Sequence, residues 1–297
     1  MRSLNIIIIF ISMTFFVVAQ ESVSQPDKQQ TVIIITNDGS EIIGVIKSET
    51  NETYFVETPA GLSIDIPKKV VVSVNEFSGK VDAGKIFHAD PNKSMYLFAP
   101  SAFPIGEGNG YCRDFCVLFP SINYGLGNIF SLQAGAFWFP GMRFEDTPLV
   151  GSAKMTLLNT NKTAIAGGIM YIKFPSFDTD FSAGAGFSFI TGTYGDQFSH
   201  FSISGGWGFI QADGEWDFMS KPIFVLAGNK RISNTLAIIT ENWIIPELDF
   251  DDAMLSLSMR YFGRKIAVDV GGIFSLASLE EGMPFPVLNF TYHFSKK

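Results

Sequence analysis

The stretch PVLNFTYHF, residues 286–294, alternates between two kinds of side chain. Its even-numbered positions from 288 carry Leu288, Phe290, Tyr292 and Phe294, and the odd-numbered positions between them carry Asn289, Thr291 and His293. A β-strand alternates in this way when its two faces meet different surroundings. A soluble sheet turns the apolar row toward a core, whereas a membrane barrel turns it toward lipid. We predict that the apolar row faces lipid and that Asn289, Thr291 and His293 face a lumen.

The composition favours strands over membrane-spanning helices. The 297-residue chain contains 28 Gly and 30 Phe, and only 17% of its residues are charged. Its mean hydropathy of +0.23 is high, yet the sequence has only one long apolar run, residues 6–18. Arg2 precedes this run and Val17-Val18-Ala19 ends it, which is typical of a secretory signal peptide over residues 1–19. The alternative is an uncleaved anchor helix, but the run is shorter than the ~20 residues of a membrane span.

Residues 31–76 predict a small β-domain of five short strands. The segments TVIIIT, EIIGVIKS, TYFVET, LSIDI and KVVVSV are separated by turn residues such as Asn37-Asp38-Gly39 and Pro59-Ala60-Gly61. Five strands of this length suggest an SH3-like or Sm-like barrel. Its acidic balance and the preceding signal peptide argue against a nucleic-acid partner. We therefore expect a periplasmic structural or docking module, followed by a linker at residues 77–93.

The region 94–297 predicts an antiparallel transmembrane β-barrel of about twelve strands, since its strand-like runs are longer and more aromatic. The predicted strands lie near 94–104, 111–126, 130–140, 150–160, 164–174, 182–194, 199–212, 221–231, 235–246, 253–263, 266–278 and 286–294. Membrane strands need ~9–11 residues, and bacterial single-chain barrels have even strand numbers. The fold class is thus all-β, a transmembrane barrel preceded by a small β-domain.

The predicted connections alternate between long and short along this region. This pattern is expected of a barrel with long outer loops, short periplasmic turns and both ends in the periplasm. Most acids of the region lie in the long connections, whereas the short turns and the chain ends are mainly basic. The acidic outer loop with Asp249, Asp251 and Asp252 is either a solvated loop or a group that gathers divalent cations and biases a pore toward cations.

The polar faces of the strands carry charges that a soluble core does not admit unpaired. Lys154, Ser256 and Ser258 are predicted to face the lumen. If Arg264-Lys265 is a two-residue turn, Arg260 lies directly opposite Asp269 on the inner face of the next strand. We predict a lumenal ion pair between them, with either a structural role or a role in ion selection.

Residues 86–141 and the final strand resemble a known group of sequences. The features that carry the resemblance are Asp90-Pro91-Asn92, the stretch APSAFPIGEGNGY at 99–111 and the aromatic last strand. They are similar to uncharacterised bacterial outer-membrane β-barrel proteins that have a signal peptide and a small N-terminal periplasmic β-domain. The resemblance implies an outer-membrane location in contact with lipid and an N-terminal domain in the periplasm. Many such barrels end on an aromatic residue, whereas here Ser295-Lys296-Lys297 follow Phe294.

The sequence gives several expectations about function. We predict recognition of the C-terminal strand by the barrel assembly machinery. No catalytic residue, metal site or cofactor is predicted, since His200 and His293 lie at the short-turn end, the wrong leaflet for an outer-surface lipid hydrolase or acyltransferase. Cys112 and Cys116 are expected to be free or paired within a small loop.

The expected role is therefore a passive narrow pore or a structural barrel. The alternatives are an envelope binding or adhesion protein that uses its long loops or periplasmic domain, an outer-membrane lipid-modifying enzyme (a lipid hydrolase or acyltransferase), and a soluble secreted β-protein. A plugged lumen would favour binding or structure over a pore.

Overall fold

The computed structural model describes residues 30–175, 183–246, 253–263, 265–275 and 284–295. The predicted signal peptide and the loop residues Asp249, Asp251 and Asp252 lie outside them. No helix within the described ranges is long and apolar enough to cross a membrane. The chain divides between Ala89 and Asp90 into two compact units, which are described separately.

The N-terminal unit contains the predicted five-stranded sheet. Its strands are β1 (Thr31–Thr36), β2 (Glu41–Glu49), β3 (Thr53–Glu57), β4 (Ser63–Pro67) and β5 (Val71–Glu76). They pair antiparallel in the order β4-β3-β2-β1-β5. The central side chains Ile34, Val56 and Ile66 are at most 3% exposed and form the core of this unit. The expected small N-terminal β-sheet is confirmed.

The predicted linker, residues 77–93, contains regular structure. The strands β6 (Lys80–Asp82) and β7 (Lys85–Phe87) form an antiparallel hairpin. Ala83 and Gly84 both have positive φ at its turn, at 47° and 75°. This is the backbone conformation of a tight two-residue hairpin turn.

The second unit is a closed antiparallel barrel. Its strands are β8 (Asn109–Phe115), β9 (Phe119–Leu126), β10 (Phe130–Ala136), β11 (Leu149–Asn159), β12 (Thr163–Lys173), β13 (Ala183–Gly195), β14 (Ser199–Ala212), β15 (Glu215–Phe218), β16 (Ile223–Ser233), β17 (Leu236–Ile244), β18 (Met254–Phe262), β19 (Ile266–Ser275) and β20 (Phe285–Ser295). Twelve of them form the wall, because β8 pairs with β20 and β13 pairs with β14. The short β15 pairs only with the end of β14. The predicted twelve-stranded barrel is therefore confirmed.

Two of the predicted strands are wrong, and the errors cancel in the count. Residues 94–104 are not a wall strand, and their one bridge joins Met95 to Pro100 within the segment itself. Pro100 is the sequence signal that was missed, since a proline rarely occurs inside a central strand. The predicted single strand 111–126 is instead the hairpin β8–β9.

The turn between β8 and β9 explains why that hairpin was missed. The Leu118 N–H donates to the Phe115 carbonyl at 3.2 Å. The central residues Cys116 and Val117 have φ of 55° and 63°, a conformation normally supplied by Gly or Asn. The sequence therefore shows no turn residues here. The expected alternation of long and short connections also fails at this first hairpin, whose connection is short at the end where the others are long.

The two faces of the wall differ as expected for a membrane barrel. On β18, Leu257, Met259 and Tyr261 are 44–50% exposed, whereas the intervening Ser258 and Arg260 are 2% exposed. On β20 the apolar row Leu288, Phe290 and Tyr292 is exposed on the outer face. The alternate residues Asn289, Thr291 and His293 are buried on the inner face. The apolar row of the final strand thus points away from the lumen.

The exposed apolar face gives a direct test of lipid contact. Leu257 lies in the middle of β18, so replacing it with Arg places a charge near the bilayer midplane. We expect Leu257→Arg to lower the unfolding free energy in lipid bilayers by about 2–4 kcal/mol. Tyr261→Arg, near the turn, should cost about 0–1 kcal/mol because the charge reaches the interface. Denaturant titration of both variants in vesicles measures the difference, and equal effects at the two positions would contradict lipid contact.

Candidate functional site

A segment of the chain fills the lumen of the barrel. We call residues 94–105 the plug. It forms a tight loop in which the Tyr96 N–H donates to the Ala99 carbonyl at 3.0 Å and the Ser101 N–H donates to the Ser94 carbonyl at 3.1 Å. Tyr96, Leu97 and Ala102 are at most 1% exposed. Side chains from strands on all sides of the wall contact it, so the plug lies inside the barrel.

Lys154 on β11 binds both legs of the plug. Its ammonium donates to the carbonyls of Ser101 at 2.6 Å, Phe103 at 2.8 Å and Ser94 at 3.4 Å. No carboxylate pairs with it among the described residues. Because a buried ammonium requires its donors to be satisfied, the three carbonyls fix the plug and stabilise the charge together.

Glu241 on β17 binds the tip of the plug. One oxygen, Oε2, accepts the N–H groups of Leu97, Phe98 and Ala99 at 2.8–2.9 Å. The other, Oε1, accepts the Trp243 indole N–H at 2.8 Å. Hydrogen bonds to a charged acceptor are about twice as strong as neutral ones. The Glu241 carboxylate therefore fixes the conformation of the tip by binding the backbone N–H groups of the tip.

Arg260 and Asp269 lie directly opposite each other on β18 and β19. Arg260 Nε donates to Asp269 Oδ1 at 2.5 Å, and Arg260 Nη2 donates to Asp269 Oδ2 at 3.0 Å. Asp269 also accepts from Arg113 Nη2 at 3.3 Å and from the Asn289 amide at 3.1 Å. The guanidinium of Arg260 reaches the plug as well, donating to the carbonyls of Tyr96 at 2.7 Å and Met95 at 3.2 Å. The pair thus joins two wall strands to the plug.

The other predicted lumenal residues lie on the inner face. Ser256 is fixed by two hydrogen bonds with the Glu241 backbone, at 2.6 Å and 2.9 Å. Ser258 is 2% exposed, and its hydroxyl has no partner among the described residues. Thr291 is 3% exposed.

The chain is also fixed just before the plug. His293 Nε2 lies 2.9 Å from the Asn92 side-chain oxygen. The Asn229 amide donates to Asp90 at 3.1 Å, and burial raises the pKa of this carboxyl, which lies outside the strands. The approach to the plug is therefore bound to two wall strands, β20 and β16.

Sequence reasoning missed Glu241, Arg113 and the plug itself. Glu241 shares its face of β17 with Ile239 and Ala237, so period-two alternation would have placed its carboxylate in the lumen. The plug was harder to find because its wall contacts are largely to backbone atoms, which leave no side-chain pattern.

The part of the chain that the structure describes was compared with the side-chain requirements of a metal site. No group of three or more His, Cys, Asp or Glu side chains that could hold a metal occurs among them. Cys112 and Cys116 are both free thiols, so of the two expectations the free state applies. The three acids of the outer loop lie outside the described residues.

The chain was compared with family models, curated proteins and solved structures. No family model matches the chain. No curated protein matches it. Among solved structures, it is similar to a loop L8 deletion mutant of OmpT, an outer membrane protein of Vibrio cholerae, with 11% identity over 90% of this chain and 97% of that chain and a TM-score of 0.34. It is also similar to Salmonella typhi OmpF in complex with daunomycin, with 8% identity over 89% of this chain and 96% of that chain and a TM-score of 0.32.

The architecture itself defines the class. The closed antiparallel wall pairs each of its strands with a neighbour on both sides and exposes rows of apolar side chains on its outer face, as a membrane-spanning barrel requires. The protein is a transmembrane β-barrel with a small N-terminal β-sheet unit and an occupied lumen.

Proposed function

We propose that the protein is a bacterial outer-membrane barrel that forms a narrow pore kept closed at rest by its plug. The observation that carries this proposal is the plug, which receives hydrogen bonds from side chains of β8, β11 and β18 and donates to Glu241 of β17. An eight-stranded barrel fills its interior with its own side chains, whereas sixteen strands leave a channel. A twelve-stranded wall leaves room for one folded segment, and here that segment is part of the same chain.

The contacts of the plug support a pore over a purely structural barrel. None of its residues belongs to the hydrogen-bond ladder of the wall. Its hydrogen bonds join wall side chains mainly to its backbone, and water can take the place of the lost partner on each side. Its apolar side chains, among them Leu97 and Phe103, pack against buried wall residues without being part of the ladder. The plug can therefore leave without breaking the wall. A structural barrel that only anchors the N-terminal unit is the second candidate.

The direction of the chain supports a periplasmic position for the N-terminal unit. Asn109 at the start of β8 pairs with Ser295 at the end of β20, so both ends of the barrel lie on the side of the short turns. In bacterial barrels the short turns are periplasmic, and we therefore place the N-terminal unit in the periplasm. The exposed apolar rows meet outer-membrane lipid, and β20 is the segment that the assembly machinery would recognise.

Membrane fractionation of the full-length protein tests this location. We expect it in the outer-membrane fraction, with a faster-migrating band on an unheated gel that disappears after boiling, because a closed barrel resists detergent unfolding. In planar bilayers the unmodified protein should give no steady conductance because the plug fills its lumen. A soluble fraction without a heat-dependent shift would contradict the proposal, and so would a constitutively open channel.

A further inference from the structure

Three basic side chains converge on three consecutive carbonyl oxygens of the plug. Lys154 donates to Ser94 O, Arg260 donates to Met95 O and Tyr96 O, and Arg113 donates to Tyr96 O at 3.3 Å. These bases come from β11, β18 and β8, so they approach the same short segment from different parts of the wall. We call Arg113, Lys154 and Arg260 the basic ring. The carbonyl oxygens that it binds occupy the position that the oxygens of an anion would take.

The buried side chains of the lumen also carry more positive than negative charges. The buried charged residues described in the second unit are four bases, Arg113, Lys154, Arg231 and Arg260, and three acids, Asp90, Glu241 and Asp269. Asp269 is shared by two of these arginines. Arg113 Nε has no hydrogen-bond partner among the described residues, although the side chain is only 4% exposed. The lumen therefore retains cationic donors that the protein itself does not fully use.

We propose that the basic ring is an oxyanion-binding constriction and that the lumen conducts anions when the plug is displaced. This inference rests on the proposed pore function. Guanidinium and ammonium groups bind carboxylates and phosphates through charge-assisted hydrogen bonds, and rings of Arg and Lys select anions in pores. Because the three bases lie buried inside the lumen, we expect the basic ring to outweigh the acidic outer loops and to reverse the cation preference suggested by those loops alone.

The experiment measures selectivity separately from opening. The full chain lacking residues 94–104 is reconstituted in planar bilayers under a KCl gradient. We expect the reversal potential to show chloride favoured over potassium by about threefold or more. An electrostatic energy of about kT between the basic ring and an anion raises the local anion concentration by about that factor. Inorganic phosphate should reduce the chloride current by occupying the basic ring.

A matched pair of substitutions locates the selectivity. Lys154→Gln in the deletion background removes one charge of the basic ring and should lower both the chloride preference and the block by phosphate. Lys173→Gln, the same change on the exposed outer face of β12, should alter neither. If the deletion variant does not fold, the measurements are made on full-length Glu241→Ala, which loses the acceptor for the tip of the plug and should open transiently.

The outcomes separate the two proposals. A conducting variant that shows no anion preference contradicts the proposed anion selectivity of the basic ring but agrees with the proposed pore function. Equal effects of the two lysine substitutions have the same meaning. Folded variants that never conduct overturn both. Chloride preference that falls only with Lys154→Gln supports the oxyanion site.

Discussion

Deletion of residues 94–104 should convert an electrically silent barrel into a steadily conducting one. The deletion removes the carbonyls held by Lys154 and Arg260 and the N–H groups held by Glu241. The wall side chains then face an interior that twelve strands cannot fill, and water enters. Single-channel recording of purified protein in planar bilayers measures the change from no conductance to open conductance.

The geometry allows this deletion without damage to the wall. Asn92 is bound to His293, and His293 pairs with Tyr111 near the start of β8. After Lys93 is joined to Ile105, residues 105–108 must connect Lys93 to the start of β8 at Asn109. This distance is short, and each residue can span up to about 3.5 Å. A heat-dependent gel shift confirms that the shortened chain still forms a barrel.

A locked plug is the matched control. The Ala102 N–H donates to the Thr193 hydroxyl oxygen at 2.8 Å, so the two residues are in contact. A cysteine pair at these positions is the variant designed to link the plug to β13, and thiol titration verifies that the disulfide has formed. The native Cys112 and Cys116 are replaced by Ser in this variant. The locked protein should remain silent under conditions that open unlocked variants. A folded deletion variant that stays silent would leave the structural anchor as the better account of the protein.

Asp269→Ala should be among the most destabilising single substitutions in the barrel, at about 3–5 kcal/mol. The carboxylate accepts hydrogen bonds from Arg260, Arg113 and Asn289 in a site that is 1% exposed. Removing it leaves two buried guanidinium groups close together without the carboxylate that bridges them. Denaturant titration in detergent or vesicles, with the gel shift as the readout of folded barrel, measures the loss.

An exposed acid provides the control for this substitution. Asp217 on β15 is exposed and lies outside the closed wall, so Asp217→Ala should change the unfolding free energy by less than about 0.5 kcal/mol. Similar losses at the two positions would show that the buried network around Asp269 contributes little beyond an ordinary surface charge.

Much of the wall could be predicted from the sequence because each strand shows its own alternation of side chains, independent of its neighbours. Period-two alternation along β18 and β20 separates the lipid face from the lumen face, and each strand carries that pattern by itself. The short connection in sequence between Phe262 and Ala267, which pair with each other, fixes the register of β18 against β19 and hence the position of Arg260 opposite Asp269. The five strands of the N-terminal unit are likewise bounded by their own turn residues.

The closed lumen was decided only by tertiary structure. Residues 94–104 have the aromatic and apolar character of a wall strand, and their placement inside the barrel depends on Lys154, Glu241 and Arg260, which lie 51–165 residues away in sequence. The turn at Cys116 and Val117 is likewise imposed on residues that do not favour it. Alternating side chains thus determined which face of each strand meets lipid. The occupant of the lumen was determined by hydrogen bonds to its backbone atoms, which every residue type carries, and by packing of apolar side chains such as Leu97 and Phe103. In the sequence these side chains have the same character as those of a wall strand.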